Sequence, residues 1–338
     1  MKYRTRAFVL IAVVIALGGA GGYGAWAYAR YLTQSRAPSE VSVAPSAAAG
    51  PVIFFRNTAS GQGQGMVAAV PAHDPKAPRT LTSQACDRVD ATAGRRICLR
   101  TRIGLDSTTE ELILDADWHI VRTRTLAGLP SRARLSADGR FAASTVFVSG
   151  HAYSGSFSTA TEISATDGES FGNLENYSIT IPGTSLTPQE RNVWGVTFAK
   201  DGDTFYATVG SSDRNWLVRG SVGQRTLTAI HAGVECPSLS PDGTRIAFKI
   251  KSSDPNQQQV RLLAVLDLKT DQVTTLGENR NVDDQAEWLD DASVLYGLAR
   301  GAPIGDSDIW VLPADGAGKP SLFIEHAWSP SVVSGVRS

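Results

Sequence analysis

The sequence predicts an all-β body, a six-bladed β-propeller closed by strands from both ends of the chain, behind one N-terminal transmembrane helix. Three observations carry this. A charge-free run of 23 residues follows a basic start. A strand–turn–strand phrase recurs through the rest of the chain at the period of a four-stranded blade. The two ends of the body supply complementary halves of one more phrase. Composition agrees: 338 residues that are 42% apolar and 19% charged are too apolar for disorder and long enough for a large core. The formal net charge is -1, but the first 36 residues hold five bases and no acid, which leaves 27 basic against 33 acidic residues beyond them. A nucleic-acid-binding body is therefore excluded as the default reading.

Residues 1–6 form a basic flank, and 7–29 (AFVLIAVVIALGGAGGYGAWAYA) form the apolar run. At about 1.5 Å per helical residue this run crosses a hydrocarbon layer about 30 Å thick. The basic flank favours an N-terminus inside the cytoplasmic membrane and a body outside it. The run exceeds the usual apolar core of a signal peptide, which favours an uncleaved anchor. Small-x-small sites at Ala25-Trp26-Ala27 and Ala27-Tyr28-Ala29 keep cleavage and secretion as the alternative. Residues 30–50, rich in Ala, Ser and Pro, read as a flexible linker to a propeller over 51–338.

Short apolar or alternating runs follow, including VIFF, RRICLRTR, RFAASTVFV, RIAFKI and DIWVLP, each bounded by turn-forming residues. The phrase Pro237-Ser-Leu-Ser-Pro-Asp-Gly-Thr-Arg-Ile-Ala-Phe248 has relatives at 88–98, 133–143, 196–206 and 286–296. Their turn positions, Gly94, Gly139, Gly202, Gly243 and Ala292, are spaced 45, 63, 41 and 49 apart. Each unit is a strand, a tight turn that calls for a positive φ, and a second strand. The long interval points to an insertion at Gly150–Gly172. Ala327-Trp-Ser-Pro-Ser-Val-Val333 repeats only the first half of the unit, and Pro51-Val-Ile-Phe-Phe55 only the second. Joined, they make a sixth unit and leave no free sheet edge.

With Ser-Pro-Asp-Gly-x-x-Ile-Ala-Phe at 240–248 and Asp308-Ile-Trp-Val-Leu-Pro-Ala-Asp-Gly316, the body resembles the WD-like repeat of TolB-type β-propellers from about Pro51 to Ser338. The runs at 192–198, 235–248 and 283–289 are also similar to actinobacterial membrane-anchored TolB-like proteins without an assigned activity. The resemblance implies a fold and a binding or scaffold role. TolB-type proteins carry a further α/β domain and work with the Tol–Pal envelope system; the chain has no room for that domain, so the Tol–Pal role does not transfer.

No Gly-x-Ser-x-Gly elbow, phosphate-binding Gly-rich loop, His-rich zinc helix or paired Cys-x-x-Cys is present. The five His are scattered and read as ordinary surface or satisfied residues. Carboxylates are the concentrated chemistry, with Asp283, Asp284, Glu287, Asp290 and Asp291 crowded around Trp288. Asp290 and Asp291 fall in the turn. Counting back from each turn to the start of its first strand gives Arg132, Trp194, Glu235, Asp284 and Gln285, with Glu325 in the closing unit. These six should converge at a channel mouth, where propellers commonly bind ligands. Trp194 would offer a stacking face, Arg132 a cation, and the carboxylates ligation of Ca²⁺ or contacts to a cationic or sugar ligand. The competing reading is a hydrated polar channel whose charges pair with Arg132 and Arg134.

The expected function is non-catalytic binding of an envelope protein or small ligand, without a required cofactor. The alternative is a hydrolase or lyase that uses channel carboxylates on an envelope saccharide or peptide. Cys86 and Cys98 are expected to form a disulfide within one hairpin, with Cys236 a buried thiol; a Cys86–Cys236 pair is the other possibility.

Overall fold

The computed structural model describes residues 2–45, 50–104, 107–148, 158–184, 187, 191–211, 214–257 and 259–334. The chain forms two compact units, one made of 1–41 with 59–64, the other of 42–58 with 65–338. In the smaller unit, helix α1 (Lys2–Arg36) contains a stretch, Ile11–Arg30, long and apolar enough to cross a membrane or to act as a signal sequence. After the helix, Ala37 O accepts the Gln62 N–H (2.9 Å) and Glu40 N–H donates to Ser60 O (3.3 Å).

The larger unit is a six-bladed propeller, shown by six sheets in chain order. Blade 1 holds β2 (Val52–Asn57), β3 (Met66–Pro71) and β4 (Arg79–Ala85), with β1 (Val43–Ala44) parallel to its outer edge. Blade 2 holds β5 (Arg88–Ala91), β6 (Arg96–Arg102), β7 (Thr108–Leu114) and β8 (Ile120–Ala127). Blade 3 holds β9 (Leu129–Leu135), β10 (Phe141–Val148), β11 (Ser158–Ala165) and β12 (Ser170–Asn173). Strand β13 (Ser178–Thr180) runs on to the outer edge of blade 4, which holds β14 (Asn192–Phe198), β15 (Thr204–Ser211), β16 (Arg214–Ser221) and β17 (Thr226–Ala232). Blade 5 holds β18 (Glu235–Leu239), β19 (Arg245–Lys251), β20 (Arg261–Asp267) and β21 (Val273–Thr275), and blade 6 holds β22 (Glu287–Asp290), β23 (Ser293–Ala299), β24 (Ser307–Pro313) and β25 (Ser321–Ile324). The last strand, β26 (Ala327–Val333), returns to blade 1 as its innermost strand.

Closure follows the expected pairing: β26 runs antiparallel to β2, from Val52 opposite Val333 to Asn57 opposite Ala327. The reason lies in the sheet faces. Each blade is covered on both faces, so its middle strands are continuous apolar runs rather than alternating ones. In β2, Val52 and Phe54 pack with Val89 and Cys98 of blade 2, whereas Ile53 and Phe55 pack with Leu295 and Ile309 of blade 6. A buried core cluster fills each interface around the ring. Without β26, the blade 6 interface would lose Ala327 and expose the ladder of β2.

Three details differ from the sequence reading. The five turn positions do join first to second strands, but positive φ occurs at Gly139, Gly202 and Gly243, not at Gly94. The extra length between the turns of blades 3 and 4 lies partly at 149–157, between β10 and β11 of blade 3 and outside the described residues, and partly beyond Gly172, where β13 joins the next blade. Within the segment read as a linker, α1 continues to Arg36 and Val43–Ala44 pairs with β4.

The Cys86–Cys98 disulfide is present, and Cys236 is a buried thiol. Its placement corrects the hairpin picture: Cys86 lies beyond the end of β4, and Cys98 lies in β6. The bond therefore ties the link between blades 1 and 2 to the second strand of blade 2.

Candidate functional site

The six innermost strands, β26, β5, β9, β14, β18 and β22, run side by side around the axis and define two faces. They begin at what we call the start face and end at the turn face. The order of the interfaces puts blade 3 opposite blade 6.

Of the six residues singled out by the repeat offset, Arg132, Trp194 and Glu235 lie in β9, β14 and β18 and Asp284 and Gln285 just before β22, whereas Glu325 precedes β26 and the ladder register puts Trp328 at the equivalent position of the closing strand. The strands bulge there: Gly195, Cys236 and Ser329, at matching positions in three blades, have φ of +68°, +51° and +56°. Gly195 also abuts Cys236, whose Cα would lie 2.7 Å from an added Cβ. The bulge turns side chains inward and shifts the ladder, between Trp194 and Thr197 and between Glu235 and Ser238.

The protein itself occupies much of the bonding capacity of these side chains. Glu235 accepts hydrogen bonds from Arg261 Nε (2.9 and 3.0 Å) and Asn215 Nδ2 (2.6 Å), which links blades 4 and 5. Arg132 donates to Ser131 O (2.7 Å) and, across the axis, to Asp283 O, which also accepts from Lys249 Nζ (2.9 Å). Gln285 donates to Pro237 O (2.8 Å) of blade 5. Trp194 is buried with its ring against Gly210, so it offers no open stacking face. Asp284 is 2% exposed, and its Oδ2 has no hydrogen-bond partner among the described residues. Glu325 departs from the group: its side chain is 63% exposed and meets Arg300 at 3.3 Å.

Charge is balanced tightly in this layer. Arg88 donates to Ser131 O (2.6 Å) and lies over the Trp328 ring. Burial, reinforced by the nearby Arg132 cation, lowers its pKa to about 10. Lys249 and Arg132 hold the Asp283 carboxyl below its ordinary range, against the opposing effect of burial. A calcium site would need six to eight oxygen ligands. Here Glu235 and Asp283 are met by cations, so the layer is not an oxygen cage for that ion.

Toward the turn face lies a second layer that the sequence offset passed over. Four first strands carry a polar residue five positions before the turn residue, Arg134, Thr197, Ser238 and Glu287, and Asp90 stands four before Gly94. Ser331 is the counterpart in β26. Four of these side chains lace blade to blade by accepting backbone N–H groups from the next inner strand. Ser331 Oγ accepts from Ala91 N (2.9 Å), Asp90 Oδ2 from Leu135 N (2.7 Å), Thr197 Oγ1 from Leu239 N (3.1 Å) and Glu287 Oε1 from Val332 N (3.1 Å). A six-stranded axis leaves such amides without a ladder partner, so the side chains satisfy them.

Arg134 completes the layer from blade 3. Its Nη2 donates to Ala286 O (2.9 Å) and lies 3.0 Å from Glu287 Oε2, both across the axis, while Nη1 lies 3.6 Å from Asp90 Oδ1. Burial pushes the Glu287 carboxyl up to about 7, with Arg134 opposing and Asp90 reinforcing the rise. For Arg134, burial alone would lower the pKa, but Glu287 and Asp90 outweigh it and the net direction is upward. A cavity of about 410 Å³ opens above this floor on the turn face, with Asp90, Arg134, Glu287, Trp288, Lys200 and Tyr206 among its lining residues. The sequence signal that marks the layer is one polar residue inside an apolar first strand, repeated at one offset.

A separate group, Asp115, Asp117 and His119, lies at the turn between β7 and β8 with ligand-type atoms within 4.8 Å of one another. The Asp115 carboxylate accepts the N–H groups of Asp117 and His119 (2.9 Å each), so hydrogen bonding within the turn accounts for the grouping.

No family model and no curated protein matches the chain. Among solved structures it is similar to TolB from Acinetobacter baumannii, with a TM-score of 0.59 and 13% identity over 84% of this chain and 66% of that one. The chain thus spans 66% of the length of that TolB. It is also similar to an oligogalacturonate lyase in complex with manganese (TM-score 0.49, 9% identity, 78% of this chain and 73% of that one). A chain of a nidogen/laminin complex gives a TM-score of 0.49 and 10% identity over 86% of this chain and 100% of that one. The body of this protein is a six-bladed β-propeller, similar in fold to TolB.

Proposed function

We propose that this protein is a non-catalytic binding propeller, anchored by α1 in the cytoplasmic membrane with its body outside, that takes an envelope protein or small ligand on the ring axis. The carrying observation is the pairing of an open cavity at the turn face with a floor of charges already engaged by the protein. Asp90 and Glu287 each accept a backbone N–H and face Arg134, an arrangement that holds a shape rather than a reactive group. The start-face residues Arg132, Trp194, Glu235, Asp284 and Gln285 close the other end of the axis, and Glu325 stands at its rim. The basic flank before the apolar run supports the proposed orientation.

The test is capture from a solubilised envelope fraction by the full chain and by Ala199→Trp, which places a large side chain at the cavity wall. The reading requires a component bound by the wild type and lost with the variant. Equal capture by both would refute binding at this cavity. One observation favours the hydrolase or lyase alternative: a carboxyl with a pKa near 7 beside a second carboxylate suits general acid–base work. Turnover of envelope saccharides or peptides that disappears in Glu287→Gln, with the fold intact, would establish that alternative instead.

A further inference from the structure

We infer that the turn-face cavity binds a protonated primary amine, carried by a lysine side chain or a free alkylamine, against the carboxylates of Asp90 and Glu287. This deepens the proposed binding role and rests on it. The bonding capacity of the cavity floor, its charge and its walls all favour such a group. Asp90 Oδ1 accepts the Ser331 hydroxyl (2.7 Å) and Oδ2 the Leu135 N–H (2.7 Å), while Glu287 Oε1 accepts the Val332 N–H (3.1 Å) and Oε2 lies 3.0 Å from Arg134. Each oxygen thus meets one donor, whereas an ionised carboxylate has about four acceptor positions. Both residues retain capacity for further donors, and both line a cavity of about 410 Å³. A primary ammonium group carries three donors, enough to serve the two carboxylates at once.

Charge selects a cation among donors. Asp90 and Glu287 are set against the single guanidinium of Arg134, 3.6 Å from one and 3.0 Å from the other, so the ionised floor carries one excess negative charge. Asp90 is 6% exposed and Arg134 9%, so water screens that excess weakly. The groups facing Glu287 are Arg134 from β9, Asp90 from β5, the Val332 N–H of β26 and Asp284 just before β22. Burial first, and then the two neighbouring acids, hold the Glu287 carboxyl up to about 7. An ammonium group brought to the floor opposes that effect, favours loss of the proton and is held as the counter-ion. The walls agree, since Phe198 and Tyr206 line the cavity and aromatic faces attract cations. Lys200 and Asp242, the exposed charged residues of the lining, are opposite in sign, so the floor decides the charge of the ligand.

The experiment titrates the full chain in detergent with Nα-acetyl-lysine methylamide, with cadaverine, and with Nα-acetyl-norleucine methylamide, which lacks only the amine. Calorimetry in two buffers of unlike ionisation enthalpy reads affinity and proton release together. At pH 8 the better amine should bind at least about tenfold more tightly than the norleucine compound, and about tenfold more tightly than it does at pH 5.5, where Glu287 is protonated. At pH 7 its binding should release about half a proton, because a carboxyl with a pKa of about 7 is half protonated there. That count is read on the wild type and does not depend on any variant folding. In Glu287→Gln the pH dependence and the proton release should both vanish. Preference between the two amines tells a polypeptide lysine from a free alkylamine. Equal binding of the amines and the norleucine compound would overturn the inference. Amine binding without proton release would assign the amine to the exposed Asp242, whose carboxyl Ser240 and Thr244 hold down to about 2, and would overturn it as well. Envelope capture that Ala199→Trp abolishes, with no amine bound by the wild type, would remove the inference and leave the binding role. Capture unchanged in Ala199→Trp, with the amine bound and its proton released, would keep the amine site and remove the envelope ligand.

Discussion

Replacing Glu287 by Gln should change the pH dependence of stability in a way that isolates the axial floor. The native carboxyl is held at about 7 against an ordinary value of 4.5, chiefly by burial. That difference corresponds to about 3 kcal/mol. The folded state binds this proton more tightly than the unfolded state, so the group's contribution is fully present below the unfolded value. It is lost as pH rises through about 7. Gln keeps the shape and an acceptor for the Val332 N–H but does not ionise. Relative to wild type, Glu287→Gln should therefore gain about 3 kcal/mol between pH 4.5 and pH 8, beyond a constant offset from its altered contact with Arg134. Urea unfolding of both full chains in detergent, followed by tryptophan fluorescence at several pH values, measures this because titrations away from the axial floor cancel in the difference. A difference that stays flat with pH, or that falls as pH rises, would refute the reasoning. Arg134→Met supplies the converse: leaving the buried carboxylates unpaired should cost about 3 to 5 kcal/mol at pH 8 and less at pH 5.

Four further outcomes follow from the packing. Removing residues 326–338 deletes β26 and should give an aggregated or protease-sensitive body; a monomer with an unchanged cooperative melt would disprove ring closure. Glu235→Ala strips Arg261 and Asn215 of their acceptor and should cost about 2 to 3 kcal/mol by urea unfolding, whereas an unchanged midpoint would return Glu235 to the class of free mouth residues. Gly195→Ala combines a positive φ with a Cβ only 2.7 Å from Cys236 Cα, so it should lower the melting temperature more than Gly243→Ala, where an added Cβ meets nothing within 4 Å. Reducing Cys86–Cys98 should cost about 3 kcal/mol for a loop of this size, and peptide mapping without reductant should recover the two together; a free Cys98 would contradict the assignment.

The sequence by itself determined the architecture, because the information needed was periodic and local. Asp-Gly turns, β-branched runs and a spacing of some forty residues report the blade whatever surrounds it. The half-units at Pro51 and Ala327 could be matched by pattern alone, and the match is the β2–β26 ladder. The same periodicity brought Arg132, Trp194, Glu235, Asp284 and Gln285 to one end of the axis, because residues at equal offsets in equivalent strands stand at equal height. Only the tertiary structure decided what those residues do there. An offset fixes height, not rotamer or partner, and the partners are remote in sequence: Asp283 across the axis for Arg132, Arg261 on the third strand of the same blade for Glu235, and Pro237 of the neighbouring blade for Gln285. The bulge that turns Trp194 into the wall against Gly210 depends on φ values that no residue type but glycine announces, and Cys236 and Ser329 adopt them too. Spacing marks the positions of the second polar layer but not its role. The need for Ser331, Asp90, Thr197 and Glu287 to accept neighbouring amides arises only when six inner strands face one another without a shared ladder.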